Sequence, residues 1–554
     1  MSSVTKKKNG FSVTAYTGDN AVLLAFNLAE DKLDNLAGFA IHCVAPVDVK
    51  YKTNRYYLLN RLRFNKDLAP NEDAAKEKWV PSSKAPFQSF HWTHYPSVGP
   101  GDYTYTVYPC YFKENSLDQG DGLSLDVNLK YKTFNELDVG FTRGYISSQA
   151  YYDRYKNTGI RPEKKSISFD TSKYEEKYIW LGTHARKLIF EFLNECVEDE
   201  SLSLNAFVFD LDEPDIINSL CKMGPRLRIF MDNSDSHVKD TSMEPLAKEA
   251  IKRAGGIVRE GKFSRLSHNK VFIQRKNGDA SKVLTGSTNF TIRGLYVQSN
   301  NVLVFNEPAI ARLYENAFEE AFTNEKGFRK SEIARVWYPA KIGGNIDLSF
   351  SFAPHPDAFT LDTVADAITS AKSSVMFSMM EVGGGGPVMS QLKQLGTRED
   401  LFSLGTVQKR NQLRTFKQGK KTGFAPFDFL EKEVPDPFKA EWSGGQGQVI
   451  HHKFVVCDFN GKSPSVFCGS SNFSEGGEKS NGDNLIEIHD GKVATLYAIE
   501  AIRLYDHYRF RSLQRKNASA TKNSLVLDDT DEWTRKYFDP EDYKYYERLL
   551  LCPP

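Results

Sequence analysis

His268-Asn-Lys270-Val-Phe-Ile273, followed downstream by Gly286-Ser-Thr-Asn289-Phe and then Asn300-Asn301-Val302, decides the fold because the chain contains the same pattern twice. The second copy is His451-His-Lys453-Phe-Val-Val-Cys457, Gly469-Ser-Ser-Asn472-Phe and Asp483-Asn484-Leu485. In both, Lys stands two positions after the first His, Gly eighteen, Asn twenty-one and a further Asn thirty-three. The apolar runs behind each His-x-Lys predict central strands. Residues two apart on a strand share a face, so His268 lies with Lys270 and His451 with Lys453, while His452 points the other way.

Two imidazoles, two ammonium groups and a set of hydroxyls and amides suit a site that holds and attacks a phosphate diester. Glycine lets the backbone approach closely. Ser287, Ser470, Asn289 and Asn472 are expected to donate hydrogen bonds to phosphate oxygens, and the lysines to offset charge gained in the transition state. One His can attack phosphorus and carry the phosphoryl group while the other protonates the leaving oxygen and then activates water. Neither copy holds both roles, so the halves are expected to face one cleft. Neither copy carries the carboxylate set of a two-metal phosphodiesterase, and no metal or other cofactor is expected.

The whole chain of 554 residues, 40% of them apolar, is too long for one core, and the net charge of +1 assigns anion recognition to local charge. The lysine-bearing start has no apolar run behind it, and no stretch reads as a spanning helix. A cytoplasmic protein, free or peripheral to a membrane and monomeric or weakly self-associating, is expected. Seven cysteines form no close pair, which favours reduced structural thiols.

Residues 1–160 alternate as half-buried strands, as in Tyr103 to Tyr108 and Leu123 to Tyr131, and predict a sandwich-like β domain ending near Arg161-Pro162. Residues 167–335 and 357–518 alternate strand and helix and predict two layered α/β halves. Residues 519–554 are rich in aromatics, including Trp533, Tyr537 and Tyr543, and are expected to dock as a tail on the catalytic body.

On these motifs the chain resembles the phospholipase D superfamily. The family pattern is matched by His451, Lys453, Asp458, Gly469, Ser470 and Asn472, and in the first copy by His268, Lys270, Gly286, Ser287 and Asn289, with Arg275 where the family has Asp. The resemblance implies a duplicated bilobal α/β fold with one active site and a metal-independent two-step reaction through phosphohistidine. The outcome is phosphodiester hydrolysis or transfer to an alcohol, including transphosphatidylation. It also implies that Asn300 and Asp483 orient the imidazoles, and that Asn301 and Asn484 help bind phosphate. Asp483 is expected to charge His451 more strongly than Asn300 charges His268, making His451 the first general acid and His268 the nucleophile.

The substrate is less legible. Met376, Met379, Met380 and Met389 read either as an adaptable apolar rim for lipid or as core filling. Asp210, Asp212 and Glu213 suit a cationic headgroup if exposed, or a helix cap if not. The glycine run 383–386 reads as a turn, and the basic stretch from Gln408 to Lys421 as a solvated loop or a phosphate-facing rim. A phospholipid is favoured. The alternatives are DNA or RNA cleaved by a nuclease of the same chemistry, and a noncatalytic phosphate-ligand binder.

Overall fold

The computed structural model describes the chain except residues 1–2, 48–52, 65–78, 115, 135, 145–148, 240, 381–384, 409–419, 427–449 and 519–525. Half of the glycine run and most of the basic stretch therefore lie outside the described residues. Two eight-stranded mixed sheets form the body. In the first, the spatial order is Lys132–Phe134, Leu137–Phe141, Asn301–Phe305, Asp279–Gly286, Val271–Lys276, Leu202–Val208, Leu227–Asp232 and Ile257–Gly261. In the second it is Tyr338–Ile342, Ile346–Phe352, Asn484–His489, Ser465–Gly469, Lys453–Cys457, Ser374–Met379, Phe402–Val407 and Thr422–Pro426. The pairings also correspond: antiparallel through the first six strands of each sheet, parallel through the last two steps.

Each central strand is buried along most or all of its length, as a sheet covered on both faces requires. The helix Glu175–Glu198 lies on the first sheet and the helix Gly491–Ala518 on the second. Between the lobes, Phe305, Tyr314, Phe350 and Phe352 meet edge to face, with ring centroids 5.0 to 5.9 Å apart. One continuous apolar core thus runs from one sheet to the other and holds the two copies of the motif together.

The N-terminal region is β-rich. A four-stranded sheet, Ser3–Lys8, Phe11–Thr17, Val22–Leu28 and His91–His94, encloses a separate apolar core with a second sheet built on Leu36–Val44 and Gly101–Lys113. Two expectations change here. Lys132–Phe134 and Leu137–Phe141 extend the first lobe's sheet, so the β domain gives way before residue 132 rather than near 160. Alternation alone does not say which sheet a strand joins, and Leu137–Phe141 finds its partner in the distant Asn301–Phe305.

The tail docks chiefly on the β domain, not on the catalytic body alone. Trp533 and Tyr537 enter the β domain's core, with Trp533 Nε1 donating to Leu36 O at 2.8 Å, while the Tyr543 hydroxyl meets that of Tyr505 at 3.0 Å on the second lobe's long helix. Among the described residues, no helix is long and apolar enough to cross a membrane.

Candidate active site

The two His-x-Lys segments enter their central strands side by side, and backbone bridges tie the lobes across the seam. His451 N donates to Ser299 O at 3.2 Å, and Gly482 N to Leu266 O at 2.8 Å. Gly286 and Gly469 lie at φ +141° and +139°, where a Cβ would stand 2.4 and 2.5 Å from the carbonyl oxygens of Asn301 and Asn484. Only glycine allows that approach, which brings the downstream Asn-Asn and Asp-Asn pairs against the Gly-Ser turns.

The imidazole partners are exchanged between lobes. His268 Nδ1 meets Asp483 Oδ1 at 2.7 Å, and His451 Nδ1 meets Asn300 Oδ1 at 2.8 Å. The expectation that Asp483 serves His451 and Asn300 serves His268 is therefore corrected. Spacing within one copy suggests an internal pair, whereas packing of the copies face to face brings each orienting side chain to the other's imidazole.

A second correction concerns the serines. Ser287 Oγ donates to Asn300 Oδ1 at 2.9 Å, and Ser470 Oγ to Asp483 Oδ1 at 2.8 Å. These hydroxyl protons hold the orienting side chains instead of facing a ligand. Asn301 and Asn484 likewise brace the turn and seam: Ser287 N donates to Asn301 Oδ1 at 3.1 Å, and Asn484 Nδ2 to Asn269 Oδ1 at 2.7 Å. Asn301 Nδ2 is buried with no hydrogen-bond partner, leaving a donor for a ligand oxygen. Asn289 Nδ2 is taken by Asp210, and Asn472 Oδ1 is buried without a partner.

Asp458 lies away from the imidazoles. Its carboxylate receives the backbone N–H groups of Lys372, Ser373 and Ser374, pinning a turn. Arg275, at the corresponding place in the first lobe, pairs with Glu315 at 2.5 Å, so the two lobes close this corner by different means. His452 points away from the seam to Glu500 at 2.9 Å.

Burial sets the electrostatics. His268 and His451 are each 4% exposed and Lys270 and Lys453 1%, so the charged forms lose most of their hydration. Burial brings the Lys270 ammonium down to about 8, and burial together with Lys270 drives Lys453 further below the usual lysine range. Burial and Lys270 also lower His268, with Asp483 pulling the other way. Burial, followed by the charges of Lys453 and Lys270, lowers His451 well below an ordinary imidazole, and its neutral partner Asn300 does not oppose them. Burial alone would raise the Asp483 carboxyl, but His268 and Lys270 outweigh it and hold it at about 2. The site is a concentration of suppressed positive charge that an anion would restore.

Of the wall beside His268 only Asp210 stands out in the sequence, and its partners His237 and Asp232 do not. His237 bridges two carboxylates, Nδ1 to Asp232 Oδ1 at 2.7 Å and Nε2 to Asp210 Oδ1 at 2.5 Å, and Asp232 Oδ2 also accepts from Ser267 N at 2.5 Å. The edge of Phe209 packs on both His237 and His268, with centroids 4.6 and 4.7 Å away. Asp232, His237 and Asp210 thus lead to Asn289 in one chain of hydrogen bonds. No spacing connects these residues along the sequence, and only the ends of Leu202–Val208 and Leu227–Asp232 bring them together. Asp210, His237 and Glu244 offer ligand-type atoms within 4.8 Å of one another, as do His91, Asp506 and Glu547. In the first group both His237 nitrogens are already committed to carboxylates, which hold the ring as an imidazolium up to about 10. Replacing His237 with alanine leaves Asp210 and Asp232 without their shared cation, and is expected to destabilise the protein by about 3–5 kcal/mol in denaturant unfolding.

The carboxylates singled out for a cationic headgroup are otherwise engaged. Glu213 is the buried N-cap of Pro214–Met223 and accepts from Ile216 N at 2.7 Å, while Asp212 pairs with Arg161 at 3.2 Å. Met376, Met379 and Met389 fill the second lobe's core, so they form no lipid-facing rim.

Residues 189–322, which carry the first His-x-Lys and Gly-Ser-x-Asn segments, match the family described as cardiolipin synthase, PLD-like domain. The first lobe is thus similar to the phospholipase D-like domain over these residues. It is 28% identical over 120 residues to a mitochondrial cardiolipin hydrolase of Xenopus laevis, covering 21% of this chain and 53% of that protein. The corresponding protein of Chlamydomonas reinhardtii is 27% identical over 109 residues, covering 20% and 45%. The chain thus spans about half the length of the curated relatives it matches. Among solved structures, phosphatidylserine synthase of Haemophilus influenzae aligns over 57% of this chain and 85% of its own, with 12% identity and a TM-score of 0.38.

Proposed function

We propose that this chain is a phosphodiesterase of the phospholipase D superfamily that works through a phosphohistidine on His268, hydrolysing a phospholipid or passing its phosphatidyl group to an alcohol. The observation that carries the reading is the exchange of unlike partners: anionic Asp483 at His268 and neutral Asn300 at His451. With Nδ1–H donated to Asp483, His268 presents the Nε2 lone pair to phosphorus. Phosphorylation at Nε2 makes the ring cationic, and the adjacent carboxylate stabilises that state. The bond from phosphorus to the leaving oxygen breaks as His451, returned to its imidazolium form by the entering anion, supplies the proton on Nε2. In the second step His451 takes a proton from water or an acceptor alcohol, whose oxygen attacks phosphorus and releases neutral His268. Lys270 and Lys453 stand where negative charge collects on the phosphoryl oxygens, and regain their ordinary protonation when the anion enters.

The unlike partners predict unlike titrations. Asn300→Asp places a carboxylate at His451, and an opposite charge favours the imidazolium, raising the His451 pKa. The alkaline limb of the rate profile, where the acid loses its proton, should move to higher pH, read from kcat/KM against pH. The same substitution removes the Asn300 amide bond to Gly294 O, so some loss of rate at the optimum is expected as well.

The phospholipid preference is supported by the relatives named for cardiolipin and by no side chain of the site itself. It is tested with chelator present throughout, on phospholipid vesicles, single- and double-stranded oligonucleotides and a small aryl phosphodiester, with His268→Ala and His451→Ala as controls. Headgroup release abolished by both substitutions is the expected result. Oligonucleotide cleavage with intact lipid would assign the same chemistry to a nuclease, and a panel left wholly intact would remove the enzymatic reading.

A further inference from the structure

A second concave site lies outside the catalytic group and shares no lining residue with it. It is a cavity of about 500 Å³ between the helix Glu175–Glu198, the segment after strand His91–His94, and Arg143 beyond strand Leu137–Phe141. That volume falls within the range of sites that take small molecules. Four cations line it, Arg143, Arg154, Arg186 and Lys187; Arg186 is paired with Glu175 at 3.2 Å and Lys187 with the one lining carboxylate, Glu191, at 3.6 Å. Aromatic faces accompany them: the Arg143 guanidinium stands 4.4 Å from the Trp180 ring centre and 5.8 Å from Tyr95, and Arg154 stands 6.0 Å from Trp180.

Two further features mark the wall. Asn20 Oδ1 is buried and meets no donor within the protein, although Asn20 lines the cavity. Thr183 breaks the helix with φ 44° and ψ −135°, a backbone conformation uncommon for a β-branched residue, and its hydroxyl turns inward to Phe141 O. A site of net positive charge with aromatic rings beside its guanidinium groups and an unmet acceptor favours a ligand with phosphate at one end and a planar ring carrying N–H groups at the other.

We propose that this cavity binds a small phosphorylated aromatic ligand of the nucleoside monophosphate class. The phosphate lies against the guanidinium and ammonium groups, the ring against Trp180 and Tyr95, and a ring amine donates to Asn20 Oδ1. The cavity sits behind the catalytic wall, because Thr142, next to Arg143, accepts from Asn300 N through its hydroxyl at 2.9 Å and donates its own N–H to Asn300 O at 3.0 Å.

Calorimetric titration of the full chain with AMP, adenosine and inorganic phosphate tests the proposal. AMP should bind one to one to both the wild type and His268→Ala, and adenosine and phosphate each at least tenfold more weakly. Arg154 and Lys187 are exposed, so the double charge reversal Arg154→Glu with Lys187→Glu should leave the fold intact and weaken AMP at least tenfold; Arg154→Gln with Lys187→Gln should weaken it in the same direction. Absence of saturable binding to the wild type would overturn the proposal. So would AMP affinity unchanged in both double variants, or phosphate alone binding as tightly as AMP, which would place the anion elsewhere.

Discussion

His268→Ala should lower turnover by roughly 10⁴–10⁶-fold, the scale on which removal of a nucleophile or its base reduces a covalent mechanism to residual binding and electrostatics. Among the described residues, no neighbouring group is placed to replace it. Lys270 Nζ donates to His268 O, and His451 is turned toward Asn300. The matching substitution at His451 should differ in kind. With a leaving group that needs no proton, such as p-nitrophenolate, His451→Ala should still release a first equivalent of product and then stall, because no base remains to activate water. With an alkoxide leaving group the first step should fail too. A burst in His451→Ala and none in His268→Ala separates the two roles without assuming the natural substrate.

Asp483→Asn should cost about 10²–10⁴-fold in kcat with little change in substrate affinity. The carboxylate has two duties that an amide performs poorly. It fixes the His268 tautomer through Nδ1, and it offsets the positive charge the ring gains on phosphorylation. Loss of the carboxylate also removes the one influence among the largest acting on His268 that raises its proton affinity, so the His268 titration should move further down. Asp483 is itself held at about 2, and it remains anionic throughout any working range. Ser470 Oγ accompanies the carboxylate and can serve an asparagine oxygen equally, so the loss measures charge and tautomer more than position.

These expectations come from a feature that spacing along the chain conceals. The duplicated His-x-Lys and Gly-Ser-x-Asn segments are legible as strand entries and tight turns because alternation and glycine have direct backbone consequences. The two-lobed sheet follows from them. Partner choice does not, since His268 and Asp483 are brought together by the packing of one lobe on the other. The wall of Asp210, Asp232 and His237 was concealed for a similar reason: each stands at a strand end or in a connection, and the sheet order alone makes them neighbours. The tail shows the limit of composition. Trp533 and Tyr537 are visibly docking residues, but aromatic content does not choose between two available cores, and the β domain takes them. Strand Leu137–Phe141 was likewise legible as a strand and not as a member of the first lobe.

The reading of the methionines and of Glu213 has the same lesson for substrate choice. Apolar or acidic side chains near a predicted strand end carry no information about a ligand until their burial and partners are known. Here the core absorbs three methionines and a helix N-terminus absorbs Glu213, which burial raises to about 8. What remains facing the seam is a set of imidazoles, ammonium groups and amide donors, which defines the reacting phosphodiester better than the groups attached to it.

The most direct measurement is an alkaline quench of His451→Ala during turnover of an activated aryl phosphodiester, followed by peptide mapping of the trapped phosphoryl group. One phosphoryl modification per chain is expected, on the peptide containing His268, and none in His268→Ala. Modification on the wild-type protein at His451, or turnover with no phosphoenzyme at either histidine, would contradict it.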